Sequence, residues 1–571
     1  MTPLPFPRLA RPALLAALAL ASPPSALPAD APAFPRGAVA TVHALATEAG
    51  VQAMRDGGNA VDAAVAAGLV LGVVDGHNSG LGGGCLMLVR TPDGTIVAID
   101  GRETAPAAAT RDMFLRDGRA DPTLSRTGPL AVATPGQVAA FHDAVVSFGK
   151  LPWRDLCSRA ARIAADGFEV TPSYAARIGS VGDDLARDPG ARAIFLGPDG
   201  TALVAGAILR QPDLARSLEA LGDGGPEWFY RGPFAGRVDA WMRAHGGILT
   251  AEDFAGYRAL RRPPIVTAYR GREIVGFPPP SSGGIHVGQI LSILGHFDLA
   301  GVGPESIDFR HVVAEAMKRA FADRARWLGD ADQVPVPRGL VDPDYAAGLA
   351  AGIDRARATP VVSPGIPPRS GTDLFPPAGH TTHWSVADAE GWWVACTATV
   401  NTAFGAKVVV PGTGIVLNDE MDDFVAEPGV PNAFGLVGGE ANAIAPRKRP
   451  LSSMAPTLVL EGGRPVLAVG AAGGPTIISQ VVLAIVQSLD HGATPGEALA
   501  RPRFHHQWSP DMLRIERAAG PDAAAALRER GHDVDAVDGI GAASMVTRPD
   551  PDGPFGGAAE PRIPEATLGG W

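Results

Sequence analysis

The chain has 571 residues, a formal net charge of −11 and 46% hydrophobic residues, enough to bury a large core. Its 71 glycines and 53 prolines amount to about a fifth of the residues, which is below the range of low-complexity chains. The one obvious basic cluster is the short run Arg447, Lys448 and Arg449. The composition therefore predicts a chain that folds throughout and speaks against a nucleic-acid partner.

The amino terminus has the pattern of a secretory signal peptide. Arg8 and Arg11 precede an apolar run over residues 13–21, which is followed by a small and proline-rich stretch over 22–29. The apolar run is shorter than the ~20 residues that a membrane-spanning helix needs. We expect residues 1–29 to be removed, with Ala26 or Ala29 as the last residue, and the mature protein to be periplasmic or secreted in a bacterium. An uncleaved anchor or a disordered tail is the alternative.

The cysteines and histidines give little sign of a metal or of disulfides. Cys85, Cys157 and Cys396 are an odd number without paired spacing, so we expect buried, inert thiols. His505 and His506 are adjacent, which is not the spacing of metal ligands in a helix or a zinc finger. We expect neither a metal nor a cofactor.

The first half of the chain alternates a few strands with many helices. The patterns predict strands at 36–42, 85–90 and 96–100, and helices at 45–55, 60–74, 135–148, 155–167, 214–221, 232–245, 287–294 and 311–328. A glycine-rich turn at 78–84 lacks the lysine of a phosphate-binding loop, so we interpret it as a site of tight packing.

Strands dominate the second half. Residues 356–379 are rich in Pro, Ser, Thr and Gly without periodicity, which is typical of an exposed linker. After it the patterns predict strands at 382–386, 394–399, 407–410, 456–460 and 465–468, then a helix at 476–489. Strands in the middle with helices around them predict stacked sheets between helical layers.

The first two of these strands are predicted to form a hairpin. If Gly391 takes the left-handed position of a three-residue loop, Asp388 pairs with Trp392, and the same register sets Thr381 opposite Thr399. A cut before Thr381 would give this threonine a free α-amino group, which can accept the proton of its own hydroxyl at neutral pH. Without further context, a Thr-Thr pair that opens a strand is better explained by β-propensity.

The context comes from many ordered motifs, among them Thr381-Thr382-His383. The others lie at residues 45–50, 57–64, 80–84, 102–106, 278–284, 315–324, 401–405, 418–424, 428–439, 448–454 and 502–508. In this order they resemble the γ-glutamyltranspeptidase family over nearly the whole mature chain. The resemblance implies an α+β fold, the four-layer αββα sandwich of the N-terminal-nucleophile (Ntn) hydrolase class.

The resemblance also implies a precursor that cleaves itself between His380 and Thr381. Residues 30–380 would be the large subunit and 381–571 the small subunit, and the two would stay together as one globular heterodimer. Thr381 would be the nucleophile, Thr399 would hydrogen-bond it, and the backbone N–H groups of Gly473 and Gly474 would stabilise the oxyanion.

By the same resemblance, two groups of side chains hold the γ-glutamyl donor. Its α-ammonium would bind Asp423, Asn401 and Glu420, while its α-carboxylate would bind Arg102, Ser452 and Ser453. Two positions depart from some relatives. Phe434 stands where a lid tyrosine occurs, which predicts looser gating, and Glu420 stands where glutamine occurs.

The expected activity is that of a γ-glutamyltransferase and glutathione hydrolase. Thr381 would carry the γ-glutamyl group and pass it to water or to the amine of an amino acid or peptide. One alternative is a glutaryl (cephalosporin) acylase of the same fold, against which Asp423 and Asn401 argue because the glutaryl group has no ammonium. Another is an uncut secreted binding protein. The sequence leaves open the preferred acceptor, the ratio of hydrolysis to transfer, and further assembly.

Overall fold

The computed structural model of the protein describes residues 32–360, 363–368 and 383–571. The predicted signal peptide, Thr381 and the bond before it therefore lie outside the described residues. The strands β1 to β22 of the described part are Gly37–Thr41, Gly84–Arg90, Ile96–Gly101, Leu115–Arg116, Arg119–Ala120, Phe168–Glu169, Ile208–Leu209, Leu260–Arg262, Ile265–Tyr269, Arg272–Gly276, His383–Asp388, Trp393–Thr399, Val408–Val409, Val416–Leu417, Thr457–Glu461, Arg464–Ala472, Phe504–His506, Leu513–Glu516, Val534–Val537, Ala542–Thr547, Gly556–Ala558 and Thr567–Gly570.

Two helices, at 60–74 and 476–489, have the bounds that were predicted from their hydrophobic periodicity. The helices α1 to α18 in the same ranges are Ala44–Arg55, Ala60–Val74, Pro122–Arg126, Gln137–Phe148, Trp153–Asp166, Pro172–Ser180, Gly182–Leu185, Pro189–Phe195, Pro212–Tyr230 with a break at Gly225, Pro233–His245, Ala251–Gly256, Gly283–Leu294, Leu299–Val302, Ile307–Trp327, Pro343–Ala351, Thr476–Leu489, Pro495–Ala500 and Pro521–Glu529. None of the helices in the described ranges is long and apolar enough to span a membrane.

Two antiparallel sheets form the centre of the molecule. The first has seven strands in the order β22-β1-β11-β12-β2-β3-β8, and the second has six in the order β21-β20-β16-β15-β10-β9. Because side chains alternate along a strand, each sheet presents one face to the other sheet and one to helices. In β2, Leu86 and Leu88 pack against Leu458 and Val546 of the second sheet, while Met87 faces the helical side.

Helices cover both outer faces. Residues of α1, α2, α4 and α5 form one large core with the outer side of the first sheet, and residues of α12, α14 and α16 form another with the second sheet. The order of layers is helix, sheet, sheet, helix, so the predicted αββα sandwich is confirmed. Cys85, Cys157 and Cys396 are buried and free, as expected.

The predicted hairpin is also confirmed. Gly391 has a φ of +98°, the N–H of Asp388 donates to the carbonyl of Trp392 at 3.0 Å, and His383 pairs with Thr397. The loop therefore has three residues and the register is the one derived from the turn. The pairing of Thr381 with Thr399, two residues beyond the last observed pair His383–Thr397, remains a prediction.

The described start of the predicted linker has no regular structure but is attached to α14. Thr359 donates its hydroxyl to Glu315 at 2.6 Å, and its carbonyl accepts from Nζ of Lys318 at 2.6 Å. The prediction of an exposed segment is confirmed at residues 356 and 357, which are exposed, while residues 358 and 359 are partly buried by this contact with α14.

Candidate active site

The candidate site lies where β11 begins and β12 ends. Thr399 is the last residue of β12 and is buried, and its Oγ1 accepts the N–H of Asn401 at 2.7 Å. On its other side the glycine-rich turn approaches so closely that a Cβ on Gly83 would lie 1.8 Å from the carbonyl oxygen of Thr399. The tight-packing interpretation of this turn is confirmed.

Asn401 follows in a left-handed conformation, with a φ of +78°, which asparagine tolerates better than most residues. Its Nδ2 donates to the carbonyl oxygen of Asp419 at 2.9 Å. This bond ties the segment after β12 to the turn Glu420–Asp423, which carries two of the predicted donor-binding carboxylates.

Arg102 lies at the centre of a buried charge cluster. Its Nη2 donates to Oδ2 of Asp423 at 2.8 Å, and its Nη1 donates to Glu103 at 3.1 Å and to Glu420. All four side chains are buried. The structure thus pairs the predicted carboxylate-binding arginine directly with two of the predicted ammonium-binding acids.

Burial and charge act against each other in this cluster. Burial disfavours the charged guanidinium, but the carboxylates of Glu420, Glu103 and Asp423 outweigh it and raise the pKa of Arg102. Burial raises the pKa of Glu103 to about 7, against the opposing charge of Arg102, and it also raises the pKa of Glu420. With three carboxyl groups around one cation, the cluster favours an additional positive charge.

Ser452 and Ser453 lie beside this cluster, and a buried arginine of α14 holds them in place. Arg324 donates through Nη2 to Oγ of Ser453 at 3.2 Å and through Nε to Oγ of Ser282 at 2.9 Å. Ser282 in turn donates to the carbonyl oxygen of Ser452. Burial lowers the pKa of Arg324 to about 10, still a cation at neutral pH.

Sequence reasoning did not assign a role to Arg324 or Ser282. Both lie inside motifs that resemble the family, at 315–324 and 278–284. The motifs mark these residues, but they do not predict the contacts with Ser452 and Ser453. That contact joins residues 129 positions apart, which no local pattern reveals.

A glycine pair connects β16 to α16. Gly473 has a φ of +129° and Gly474 of +59°, so the turn places consecutive N–H groups at the start of a 14-residue helix. The aromatic ring of Phe434 lies against this turn, since a Cβ on Gly474 would be 2.6 Å from Cδ1 of that ring.

Asn432 links the ring to the charge cluster. Its Oδ1 accepts the N–H groups of Phe434 at 3.0 Å and Leu436 at 3.1 Å, while its Nδ2 lies 3.3 Å from Oδ1 of Asp423. The structure therefore brings the predicted oxyanion turn, the predicted lid residue and the predicted donor-binding acids into one connected region. Thr381, the predicted nucleophile, lies outside the described residues.

Residues 46–570 match the family model described as Gamma-glutamyltranspeptidase. The chain belongs to this family. It is 44% identical over 541 residues to the glutathione hydrolase proenzyme of Escherichia coli strain K12, covering 94% of this chain and 92% of that protein.

Solved structures with two kinds of name are similar to it. The crystal structure of cephalosporin acylase from Bacillus halodurans superposes with a TM-score of 0.85 at 28% identity, over 96% of this chain and 98% of that one. The γ-glutamyltranspeptidase of Helicobacter pylori superposes with a TM-score of 0.56 at 35% identity, over 58% of this chain and 96% of that one. The chain thus has the Ntn-hydrolase fold of this enzyme family.

In the described part of this family member, no group of three or more His, Cys, Asp or Glu side chains is arranged to hold a metal ion. The chemistry available at the site is that of hydroxyl groups, carboxylates, guanidinium groups and backbone N–H donors.

Proposed function

We propose that the protein is a γ-glutamyltransferase and glutathione hydrolase. The observation that carries this proposal is the buried cluster of Arg102 with Glu103, Glu420 and Asp423 beside the Gly473–Gly474 turn. A γ-glutamyl donor presents an α-ammonium and an α-carboxylate at the end remote from its scissile amide. The site offers groups of both signs at one edge of the sandwich.

Unused hydrogen-bonding capacity supports the ammonium half of this assignment. Within the described ranges, Oε2 of Glu420 and Oε1 of Glu103 are buried without a hydrogen-bond partner, a costly arrangement that an ammonium would relieve. The excess of carboxylates over the guanidinium favours the same ligand, and Asn401 and Asp423 would complete the set.

The α-carboxylate half would use Arg102 and the hydroxyls of Ser452 and Ser453. Arg102 would have to share its donors between the substrate and the acids that now bind it. Arg324 would keep Ser453 oriented, since its guanidinium lies 3.2 Å from that hydroxyl.

The nucleophile in this proposal is Thr381, made available by self-cleavage. The Thr381 hydroxyl attacks the carbonyl carbon of His380, and the C–N bond breaks, which gives an ester and frees the α-amine of Thr381. Water then hydrolyses the ester, which leaves a carboxylate on His380 and restores the Thr381 hydroxyl. Residues 30–380 and 381–571 then form the two subunits of one body. Thr399, whose Oγ1 already accepts from Asn401, would hydrogen-bond the nucleophile.

Turnover repeats the same chemistry on the substrate. Thr381 Oγ bonds to the γ-carbonyl carbon of glutathione, the N–H groups of Gly473 and Gly474 hold the oxyanion, and the cysteinylglycine amine leaves with a proton. Water or an acceptor amine then cleaves the ester and regenerates the hydroxyl. Loss of one oxyanion donor typically costs about 3–4 kcal/mol of transition-state stabilisation.

Glutathione turnover and maturation test the proposal together. We expect two bands on a denaturing gel, a small fragment that begins at Thr381, and release of glutamate or γ-glutamyl products from glutathione. Thr381→Ala should give one full-length band, whereas the neighbouring control Thr382→Ala should still be cut. A fully processed sample that leaves glutathione intact would refute the activity.

The family likeness to cephalosporin acylase makes glutaryl-amide hydrolysis the second candidate. A glutaryl group has no α-ammonium, so it would leave the acids around Arg102 without a counter-charge. We therefore expect kcat/KM for a γ-glutamyl anilide to exceed that for the glutaryl anilide by at least tenfold. The reverse preference would favour the acylase.

Export to the periplasm or outside the cell is part of the proposal. It rests on the signal-peptide pattern over residues 1–29. Sequencing the amino terminus of the large fragment from exported material tests it, and a fragment that begins at Met1 would contradict it.

A further inference from the structure

A second cavity lies at the same edge of the sandwich, next to Gly473. It encloses about 360 Å³ and is lined by the end of α2, the first turns of α6, the residues after β1, and the segment before β22. The carbonyl of Asn78, which lines it, accepts the N–H of Val400 at 3.0 Å, one residue beyond Thr399. The cavity therefore adjoins the end of β12 and the proposed oxyanion turn.

Unpartnered polar atoms concentrate in this cavity. The described ranges contain 17 buried side-chain N and O atoms without a hydrogen-bond partner, and five of them belong to its lining: His43 Nε2, Asp75 Oδ2, His77 Nδ1, Tyr174 OH and Glu565 Oε2. Buried polar groups in proteins are nearly always hydrogen-bonded. Five in one cavity point to a polar ligand.

The charges in the lining indicate which ligand. Asp75 and Glu565 contribute carboxylates, and Arg177 contributes an exposed guanidinium that acts electrostatically on Asp75. A second guanidinium in the lining, that of Arg562, is already paired with Glu516 and Glu560. Burial lowers the pKa of His77 to about 3, so this imidazole is neutral. Two carboxylates speak against a purely anionic ligand, and a metal ion is not supported in the described part.

We propose that this cavity, formed by Asp75, Tyr174, Arg177, Glu565 and Gly473, is the acceptor cavity, which binds a zwitterionic amino acid or short peptide. Asp75 and Glu565 bind its ammonium group, and Arg177 binds its carboxylate. The inference rests on the proposed function, since it names the place from which the acceptor reaches the γ-glutamyl enzyme. The volume is within the range of small-molecule sites.

The transfer step needs a neutral amine. Burial raises the pKa of Asp75 to about 7, which suits a carboxylate that takes one proton from the bound ammonium near neutral pH. The amine lone pair then forms the C–N bond to the γ-carbonyl carbon. The C–Oγ bond to Thr381 breaks, and Oγ takes the second proton of the amine, so that an amide and a free hydroxyl result.

Acceptor kinetics with the mature, processed enzyme test this site. The donor is a γ-glutamyl anilide, whose leaving group is uncharged, and the acceptors are glycylglycine and its carboxamide. We expect Arg177→Ala to raise KM for glycylglycine about fivefold, the scale of an exposed ion pair, and to leave KM for the carboxamide within 1.5-fold. Glu565→Gln should raise KM for both glycylglycine and its carboxamide.

Arg187→Ala is the matched control, because Arg187 is an exposed arginine outside the cavity that pairs with Asp184. It should keep the wild-type ratio of transfer to hydrolysis. An unchanged KM for glycylglycine in Arg177→Ala would overturn the site. If the wild-type enzyme does not hydrolyse the anilide at all, the proposed function itself fails, and the two failures are thereby distinguished.

Discussion

The ring of Phe434 occupies the space that any side chain on Gly474 would need. A Cβ at Gly474 would lie 2.6 Å from Cδ1 of the ring, and the residue has a φ of +59°. Phe434 is the predicted lid residue and Gly474 a predicted oxyanion donor. One contact therefore joins the residues predicted for these two functions, and a glycine at position 474 leaves room for the ring against the turn.

We expect Gly474→Ala to lower kcat on a γ-glutamyl anilide by about 10²–10³-fold, because the added methyl displaces the ring and tilts the N–H donors. Gly463→Ala is the matched control. Gly463 also has a positive φ of +76°, but a Cβ added there would have nothing within 4 Å. The Gly463→Ala variant therefore measures the effect of backbone strain alone. An equal loss of kcat in both variants would contradict the role of the contact between Gly474 and Phe434.

Asn432 should govern donor binding through the segment of Phe434 and Leu436. It accepts two backbone N–H groups of that segment and lies 3.3 Å from Asp423. Since each lost hydrogen bond contributes about 0.5–1.5 kcal/mol, we expect Asn432→Ala to raise the donor KM roughly tenfold in fully processed enzyme. Val430→Ala, in the same segment but partly exposed, should leave KM unchanged. A normal KM in Asn432→Ala would show that the segment closes without it.

The hairpin shows how far local patterns reach. One turn residue, Gly391, gave the loop length, and the loop length gave the whole register from Asp388–Trp392 to His383–Thr397. The rule works because turn geometry fixes pairing over neighbouring residues. Helices with strong periodicity, such as α2 and α16, were predicted for the same local reason.

Such local patterns do not predict which distant segments of the chain pair with each other. β22 pairs with β1 across more than 500 residues, and Arg102 binds Asp423 across 321. The family resemblance implies roles for both Arg102 and Asp423, but at opposite ends of the donor. Their direct ion pair depends on how the glycine-rich turn, β3 and the Glu420–Asp423 turn pack, which only tertiary structure decides.

The stability of the folded protein should reflect the buried Glu103. Burial raises its pKa to about 7 from an ordinary value of 4.5, so the folded state holds a proton that the unfolded state releases. The stabilisation from this group is full below about pH 4.5 and is lost as pH rises through 7. Glu103→Gln cannot ionise, so it does not lose this stabilisation as pH rises. Its Tm should therefore exceed the wild-type Tm by roughly 2–4 °C at pH 8 and by less at pH 5.

Thermal unfolding of processed protein at both pH values measures this difference. Glu219→Gln on α9, where the side chain is exposed, serves as the control and should show the same small difference at pH 5 and pH 8. A Tm difference for Glu103→Gln that stays constant, or that shrinks as pH rises, would show that Glu103 is ionised in the folded state at every pH tested.

Arg102 should be irreplaceable by lysine, because its donors reach separate acceptors. Nη1 binds Glu103 and Glu420, Nη2 binds Asp423, and Nε binds the carbonyl of Pro450 at 3.2 Å. A lysine keeps the charge but concentrates it on one nitrogen, which cannot match this fork. We expect Arg102→Lys to fold and to lose at least 100-fold in kcat/KM for the γ-glutamyl anilide.

Arg102→Met should instead fail to accumulate as processed protein, because removing one partner of a buried ion pair costs about 3–5 kcal/mol. Arg261→Lys is the matched control. Arg261 makes two hydrogen bonds to Asp143, at 2.9 and 2.8 Å, but on the surface, where an ion pair contributes about 1 kcal/mol or less. If Arg102→Lys kept wild-type kcat/KM, a positive charge alone would suffice and the geometry of the fork would be irrelevant to catalysis.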